Sequence, residues 1–210
     1  TLESGSDEPN AAVFSKDDLT LNGTGTLTVS GNYQNGILSK DDLVIAGGTY
    51  IVTAVNDALR GRDSITITDG KFTINAGADG FQSNNDEDTE KGTVNISGGS
   101  FDIIAGNDGI QAYTVLTISG GTFDITTGGG SASAPTGGSN DFFNPRGGSP
   151  FGGNTTTTTT EDSKKGLKGG SGISITGGTF TLDTYDDAVH SNTDIKIAGG
   201  TFTIATGDDA

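Results

Sequence analysis

Apolar and polar residues alternate along most of the chain, in short runs that recur at a regular spacing. One type of run has two apolar residues two positions apart, as in Leu43 and Ile45. A second type follows a Gly-Gly pair, as in Phe101 and Ile103, and a third, shorter type follows Asp-Gly or Asp-Ala, as at Ile110. Alternation with period two, in runs rich in β-branched and aromatic residues, predicts three short β-strands per repeat.

The length of the repeat is given by the second glycine of the pair before the second run. This glycine falls at Gly48, Gly70, Gly99, Gly121, Gly178 and Gly200. The steps between these positions are 22, 29, 22, 57 and 22 residues. Seven extra residues around 85–91 and 35 extra residues within 128–163 explain the two long steps. A regular period of this length is the signature of a stacked solenoid.

Three strands in every 22 residues, separated by Gly and Asx turns, predict an all-β fold of the parallel β-helix type. We expect about seven coils and a right-handed path, following the rule for parallel crossovers. Equivalent residues of neighbouring coils would lie roughly 4.8 Å apart, so the Phe positions would stack inside. Leucine-rich repeats have a similar length but need Leu at fixed offsets and a helical stretch.

The repeats run through the whole chain, so residues 1–210 are expected to form a single β-helix domain. The pattern stops in mid-repeat at Asp209-Ala210, which indicates a fragment of a longer protein. Residues 128–163 are rich in Gly, Ser and Thr and cannot pack a core of their own, so they are predicted to be an insertion loop.

Composition narrows the function classes. The chain has 27 acidic and 11 basic residues, for a net charge of −16, which argues against nucleic-acid binding. It has no Cys, which excludes disulfides and thiolate metal sites. No segment is long and apolar enough to predict membrane insertion, and no motif for nucleophilic or nucleotide chemistry is present.

Acidic residues recur at equivalent positions of successive coils, and we call each such set a column. The turn column precedes the third strand and reads Asn35, Asp57, Asp79, Asp108, Lys165, Asp187 and Asp209. The edge column follows the third strand and contains Asp17, Asp18, Asp41, Asp42, Asp63 and Asp86. Each Asp could cap its own turn through backbone N–H groups, but that explains poorly why acids accumulate in pairs on successive coils.

A hard divalent cation explains the accumulation, because Ca²⁺ gathers six to eight oxygen ligands and converts repulsion between carboxylates into attraction. We therefore expect at least one calcium ion. The candidate ligands are Asp41, Asp42, Asp57, Asp63, Asp79, Asp86, Asp108, Asp186 and Asp187.

Long hydrogen-bond donors occupy the outward position of the third strand, between the two acidic columns. We call this set the donor ribbon: Arg60, Gln82, Gln111, Lys168 and His190. Such donors are unusual on so acidic a chain and suit an anionic or hydroxylated sugar, so they are the predicted ligand-binding residues. The alternative interpretation is a solvated face.

Several segments closely resemble a bacterial family of carbohydrate-binding β-helix domains related to family 9 pectate lyases. They are SDEPNAAVFSKDDL (6–19), GILSKDDLVIAGGTY (36–50), NDALRGRDSITITDG (56–70), ADGFQSNNDEDTEKG (78–92), NDGIQA (107–112) and DDAVHSN (186–192). The resemblance implies a secreted or cell-surface protein with several calcium ions that binds cellulose or polygalacturonate.

The resemblance also raises the question of lyase activity. The related lyases hold calcium in an Asp-Asp-Gly-Leu-Asp type turn, and the segments 186–189 and 107–110 match its first four positions. His190 and Gln111 replace the fifth acid, which puts the lyase calcium cluster in doubt. If the protein is a lyase, Lys168 or Arg60 would supply the base that proton abstraction requires.

Three functions therefore stay open from the sequence. The leading one is a calcium-binding, non-catalytic module for plant cell-wall polysaccharide, either anionic or cellulosic. The second is a calcium-dependent, pectate lyase-like enzyme. The third is a structural surface repeat, an adhesin or fibre element whose coil ends stack on neighbouring domains.

Overall fold

The computed structural model describes residues 9–134 and 163–208. This part of the chain is all-β, apart from a 3-10 turn at Ser131–Ser133, and no helix in it is long and apolar enough to cross a membrane. Most of the predicted insertion at 128–163, and Asp209, lie outside the described residues. The strands are β1 (Ala11–Ser15), β2 (Leu19–Leu21), β3 (Thr26–Gly31), β4 (Asn35–Ser39), β5 (Asp42–Ala54), β6 (Leu59–Gly61), β7 (Ser64–Ala76), β8 (Phe81–Ser83), β9 (Thr93–Ile96), β10 (Ser100–Ala105), β11 (Ile110–Ala112), β12 (Val115–Ile118), β13 (Thr122–Thr127), β14 (Leu167–Gly169), β15 (Gly172–Ile175), β16 (Thr179–Thr184), β17 (Val189–Ser191), β18 (Ile195–Ile197) and β19 (Thr201–Thr206).

These strands form two sheets in which the neighbours run parallel. The seven-stranded sheet has the order β1-β4-β6-β8-β11-β14-β17 and contains the third strand of each repeat. The twelve-stranded sheet contains the first and second strands, which are continuous in β5 and β7 and separate elsewhere. The register of β5 against β7 shifts between Ile45 and Thr49, where the first segment passes into the second. The predicted all-β architecture with parallel strands is confirmed.

Strand register reproduces the spacing of the sequence repeat. Phe101 pairs with Phe123, 22 residues later, and Phe72 pairs with Phe101 across the seven-residue insertion. Phe123 pairs with Phe180, so strands on either side of the long insertion are direct neighbours. The strands that flank the two insertions therefore keep the same register as their neighbours.

An aromatic column forms the centre of the core. Its rings stack nearly parallel, with centroids 4.5–5.0 Å apart and planes within 13° of each other. The members are Tyr50, Phe72, Phe101, Phe123, Phe180 and Phe202. The four central Phe side chains are at most 2% exposed, as expected for core residues. Ile and Leu ladders from the other strands complete the apolar interior.

In the Gly-Gly pairs that follow β9, β12, β15 and β18, the two glycines are required for different reasons. The second one, such as Gly99 with φ +109°, has a backbone conformation that side-chain-bearing residues rarely adopt. The first one, such as Gly98, lies against the preceding repeat, and a Cβ there would be 2.7 Å from the carbonyl oxygen of Thr68. The pair thus combines a tight corner with close packing between repeats.

Candidate functional site

The donor ribbon lies on adjacent strands of the seven-stranded sheet. Its residues are the central positions of β6, β8, β11, β14 and β17, and each pairs with the next in register. All five side chains are half-buried. The five residues are therefore direct neighbours on successive parallel strands. Leu38, at the same position in β4, is buried instead.

The turn column runs beside the ribbon as a ladder of backbone caps. Asp57 accepts a hydrogen bond through Oδ1 from the backbone N–H of Asp79 at 3.2 Å, and Asp79 accepts one from Asp108 at 3.0 Å. Asn35 and Asp108 continue this pattern, toward Asp57 and Lys165 respectively. Each side chain thus caps the next repeat rather than its own turn, because the stacking brings that N–H directly above it.

The second carboxylate oxygen of these residues is bound by the donor ribbon. Lys168 Nζ lies 2.9 Å from Asp108 Oδ2, and Gln82 donates to Asp79 Oδ2. Gln111, with its amide group oriented to donate, reaches both Asp79 at 3.0 Å and Asp108 at 3.2 Å. The ribbon and the turn column therefore form one hydrogen-bond network, although the sequence pattern presents them as two separate features.

The two ends of the ribbon differ in how closely they contact the turn column. Arg60 Nη1 is 3.5 Å from Asp57, and Arg60 Nε donates to Asn84 at 3.2 Å. At the other end, His190 Nδ1 is 2.7 Å from Asp187 and its Nε2 is 3.2 Å from Asn192. Donor groups for a ligand therefore remain mainly near Arg60.

Burial strongly perturbs the middle of the turn column. Burial, together with the neighbouring carboxylates of Asp108 and Asp57, raises the pKa of Asp79 to about 7. Burial also raises the pKa of Asp57, although the Arg60 guanidinium acts in the opposite direction. These buried carboxylates already have fixed hydrogen-bond donors, so their geometry suits a structural ladder better than a metal centre.

Lys165 replaces an acid within the turn column and serves as an internal cation. Its Nζ lies 2.6 Å from Asp186 Oδ2 and 2.7 Å from Asp187 Oδ2. Burial works against the charged ammonium, but the two carboxylates outweigh it and raise the pKa of Lys165. The pairing is reciprocal, since Lys165 outweighs the effect of burial on Asp186 and lowers its pKa. In the sequence, this role is indicated by a single basic residue in an otherwise acidic column.

The edge column forms an open acidic basin of about 530 Å³. Seven carboxylates and one ammonium line it, from Asp17, Asp18, Asp41, Asp42, Asp63, Asp88, Glu90 and Lys91. Carboxylate oxygens of Asp17, Asp18 and Asp41 lie within 4.8 Å of one another. Burial raises the pKa of Asp41, and the carboxylates of Asp63, Asp17 and Asp18 add to the effect. An all-oxygen set of crowded carboxylates has the donor chemistry that Ca²⁺ prefers.

The short insertion closes one side of this basin. Asp63 receives hydrogen bonds from Lys91 Nζ and Asn85 Nδ2, both at 2.6 Å. Burial opposes ionisation of Asp63, but these bonds outweigh it and lower the pKa. Asp86 is exposed on the insertion. The negative charge of Asp63 is thus already compensated by Lys91 of the same chain.

A second carboxylate group gathers at the other end of the turn column. Oxygens of Asp186, Asp187 and Asp208 also lie within 4.8 Å of one another. Here, however, Lys165 and His190 already contact the first two carboxylates. The acidic basin, with Asp41 and Asp42 among the predicted ligands and Asp17 and Asp18 beside them, is the better fit to a cation.

A family profile, a protein sequence and a solved structure are similar to this chain. A family profile described as "Carbohydrate-binding domain-containing protein" matches residues 1–210. A protein of the same description from Acetivibrio thermocellus (strain ATCC 27405) is 49% identical over 47 residues, which are 22% of this chain and 16% of that protein. The solved structure of the polysaccharide lyase-like protein from C. thermocellum, a gadolinium derivative, has a TM-score of 0.55 and 28% identity, over 94% of this chain and 58% of that chain. The chain spans less than two thirds of either relative.

Proposed function

The chain belongs to the family of carbohydrate-binding domain-containing proteins, and from this premise we propose that it is a calcium-binding, non-catalytic module for plant cell-wall polysaccharide. The observation that carries the proposal is the donor ribbon, in register on consecutive parallel strands. Gln82 and Lys168 each donate to one buried carboxylate and keep further N–H groups, and with the Arg60 guanidinium these groups suit the hydroxyl and carboxylate groups of an extended polymer. Such a polymer lies outside the cell, so the proposal includes secretion or surface display.

We further propose that the strands wind as a right-handed parallel β-helix related to family 9 pectate lyases. Three strands per repeat, parallel pairing and a spacing of 22 residues support this path. The right hand follows from the general rule for parallel crossovers. The similarity of the chain to a solved polysaccharide lyase-like protein supports the proposed relation to these lyases.

Calcium is the proposed cofactor, and Asp17, Asp18, Asp41 and Asp42 are the residues that would hold it. The support is the crowding of oxygens in the acidic basin and the raised pKa of Asp41. A bound Ca²⁺ would relieve the repulsion between these carboxylates and would attract the acidic groups of a pectic chain.

The ion pairs of the ribbon favour binding over lyase chemistry. Lys168 and Arg60, the two candidate bases, contact the buried carboxylates of Asp108 and Asp57. To act as a base, Lys168 or Arg60 would have to be uncharged. The buried carboxylate of Asp108 or Asp57 would then lose its cation, and an unpaired buried charge is costly. A lyase and a structural surface repeat are therefore the alternatives that the experiment must distinguish.

The test is a binding panel with cellulose, polygalacturonate and methyl-esterified galacturonan, run with calcium and with chelator. We expect retention on at least one polysaccharide, weakened by the chelator, without a rise in absorbance from unsaturated chain ends. A calcium-dependent rise in absorbance would establish the lyase instead. Absence of binding to all three polysaccharides in calcium would refute the proposed function and favour a structural repeat.

A further inference from the structure

A small cleft at the Arg60 end of the ribbon differs in charge from the rest of the molecule. It measures about 160 Å³ and is lined by Asn10, Leu38, Ser39, Lys40, Arg60, Arg62 and Asn84. Three of these residues are cationic and none is acidic, although the whole chain has 27 acids and 11 bases. We call it the cationic cleft. A locally positive concave surface on an acidic protein favours an anionic ligand.

Strand stacking positions the three cations. Lys40 directly follows β4 and Arg62 directly follows β6, so they hold equivalent places in successive repeats. The backbone N–H of Arg62 donates to the carbonyl of Ser39 at 3.1 Å, which fixes this stacking. Arg60 lies in β6 between them, and its Nε is held by Asn84 at 3.2 Å.

Two of the cations have donors to spare. Within the described part of the chain, the Lys40 ammonium has no hydrogen-bond or ion-pair partner. Arg62 Nη2 contacts Glu87 at 2.6 Å, but the two side chains are 38% and 75% exposed. An ion pair so exposed contributes little and can exchange for a ligand. By contrast, Lys91, Lys165 and Lys168 are each tied to carboxylates.

One residue of the cleft lining, Asn10, also has an unsatisfied acceptor. Asn10 Oδ1 is buried without a hydrogen-bond partner, and it is the one such side-chain atom among residues 9–134 and 163–208. Buried polar atoms almost always have partners, so this atom needs a donor such as a hydroxyl group. Cations beside an orphan acceptor match the carboxylate and hydroxyl groups of one acidic sugar.

We propose that the cationic cleft binds the carboxylate of one uronic-acid residue within an acidic polysaccharide. This inference deepens the proposed function and rests on it. Arg62 supplies the planar fork that matches a carboxylate, and Lys40 supplies a mobile point charge. The cleft is smaller than the 300–1,000 Å³, roughly, of a pocket for a drug-sized ligand, so it takes one sugar unit, and the polymer continues along the surface.

The test compares two double variants that change the net charge equally. Lys40→Gln with Arg62→Gln removes two cations of the cleft, and neither contacts a buried carboxylate. Lys71→Gln with Lys196→Gln removes two exposed lysines outside the cleft. Binding to polygalacturonate and to its methyl-esterified form is measured at fixed calcium and salt, and melting curves confirm folding. We expect the cleft variant to lose about tenfold or more in affinity for the acidic form, because it lacks two charged contacts to the carboxylate.

The control double variant should retain its affinity within about twofold, because long-range charge effects are screened by salt. Esterification should remove the difference between the wild type and the cleft variant. Equal losses in the two double variants, or full binding by the folded cleft variant, would overturn the subsite. Binding of the wild type to neutral but not to acidic polysaccharide would also overturn it while leaving the proposed function intact. Failure of the wild type to bind any polysaccharide would refute both.

Discussion

At the scale of single residues, the same stacking has opposite consequences for aromatic rings and for carboxylates. Phe101 lies between Phe72 and Phe123, with ring centroids 4.8 and 4.6 Å away, and gains both burial and ring contacts. Asp79 lies between Asp57 and Asp108, where repulsion and burial raise its pKa. Substitutions at these two positions should therefore change stability in opposite directions.

Replacing Phe101 with Ala should lower the free energy of unfolding by about 3–5 kcal/mol, because it leaves a cavity in a continuous stack. Ile104→Ala, in the same strand but 52% exposed, is the matched control and should have a small effect. Chemical denaturation of both variants measures the difference. Similar losses at the two positions would contradict the assignment of the Phe column to the core.

Asp79→Asn should stabilise the protein at neutral pH. The ordinary pKa is 3.8 and the folded one is about 7, so between these values the folded chain keeps a proton that the unfolded chain has lost. The contribution of Asp79 to stability is then highest at the acidic end and falls as pH rises toward 7, at about 1.4 kcal/mol per pH unit. Asn35 already occupies the equivalent position and accepts the next N–H at 3.2 Å, so Asn fits the ladder.

Melting curves at pH 5 and pH 8 in chelator measure this effect. The wild type should lose stability between the two pH values more than Asp79→Asn does. Asp102→Asn, an exposed change on β10, should leave the difference unaltered. If the wild type and Asp79→Asn showed an identical pH dependence, the Asp79 carboxyl group would not be the source of the loss of stability between pH 5 and pH 8.

Lys165→Met should destabilise by about 1–3 kcal/mol, because Asp186 and Asp187 would lose a cation within hydrogen-bond distance. Added calcium should restore part of the loss, since oxygens of these residues and Asp208 lie within 4.8 Å of one another. Lys71→Met serves as the control for removing an exposed lysine. Thermal melts with and without calcium measure both effects, and a variant as stable as the wild type would refute the role of Lys165.

At the scale of the structural element, each corner depends on a glycine with positive φ. Gly99→Ala should cost about 1–3 kcal/mol, because φ is +109° and the new Cβ would lie 2.9 Å from the carbonyl oxygen of Gly70. Gly25→Ala is the control, since a Cβ there meets nothing within 4 Å. Denaturant titration of both variants is the measurement. If Gly25→Ala were the more destabilising change, the corner assignment would be wrong.

At the scale of the whole molecule, a net charge of −16 opposes compaction. Calcium should therefore raise the melting temperature beyond the effect of sodium chloride at equal ionic strength. A ligand at a hundredfold excess over its Kd stabilises by about 2.7 kcal/mol. The double change Asp18→Asn with Asp41→Asn should abolish this shift, whereas Asp102→Asn with Asp124→Asn, on the exposed face of β10 and β13, should preserve it. An unchanged melting temperature in calcium would refute the metal site.

The sequence by itself determined the strands, their order and their partners. The chain repeats one local structure, so the spacing of Gly and Phe residues specifies the register of the parallel strands without knowledge of distant contacts. For the same reason, the positions of the donor ribbon and of the two acidic columns could be read from spacing alone. Phe123 and Phe180 were assigned to neighbouring repeats although 57 residues separate them, and they pair directly.

Only the tertiary structure decided which charges are available to a ligand. Lys168 and Lys40 look alike in the sequence, yet one contacts buried Asp108 and the other has no partner among the described residues. Likewise, Asp57 caps the turn of the next repeat, whereas Asp41 lies close to other carboxylates in the basin. The physical reason is that register specifies which residues are neighbours, but hydrogen bonds and pKa values depend on side-chain direction and burial, which arise only when the repeats are packed together.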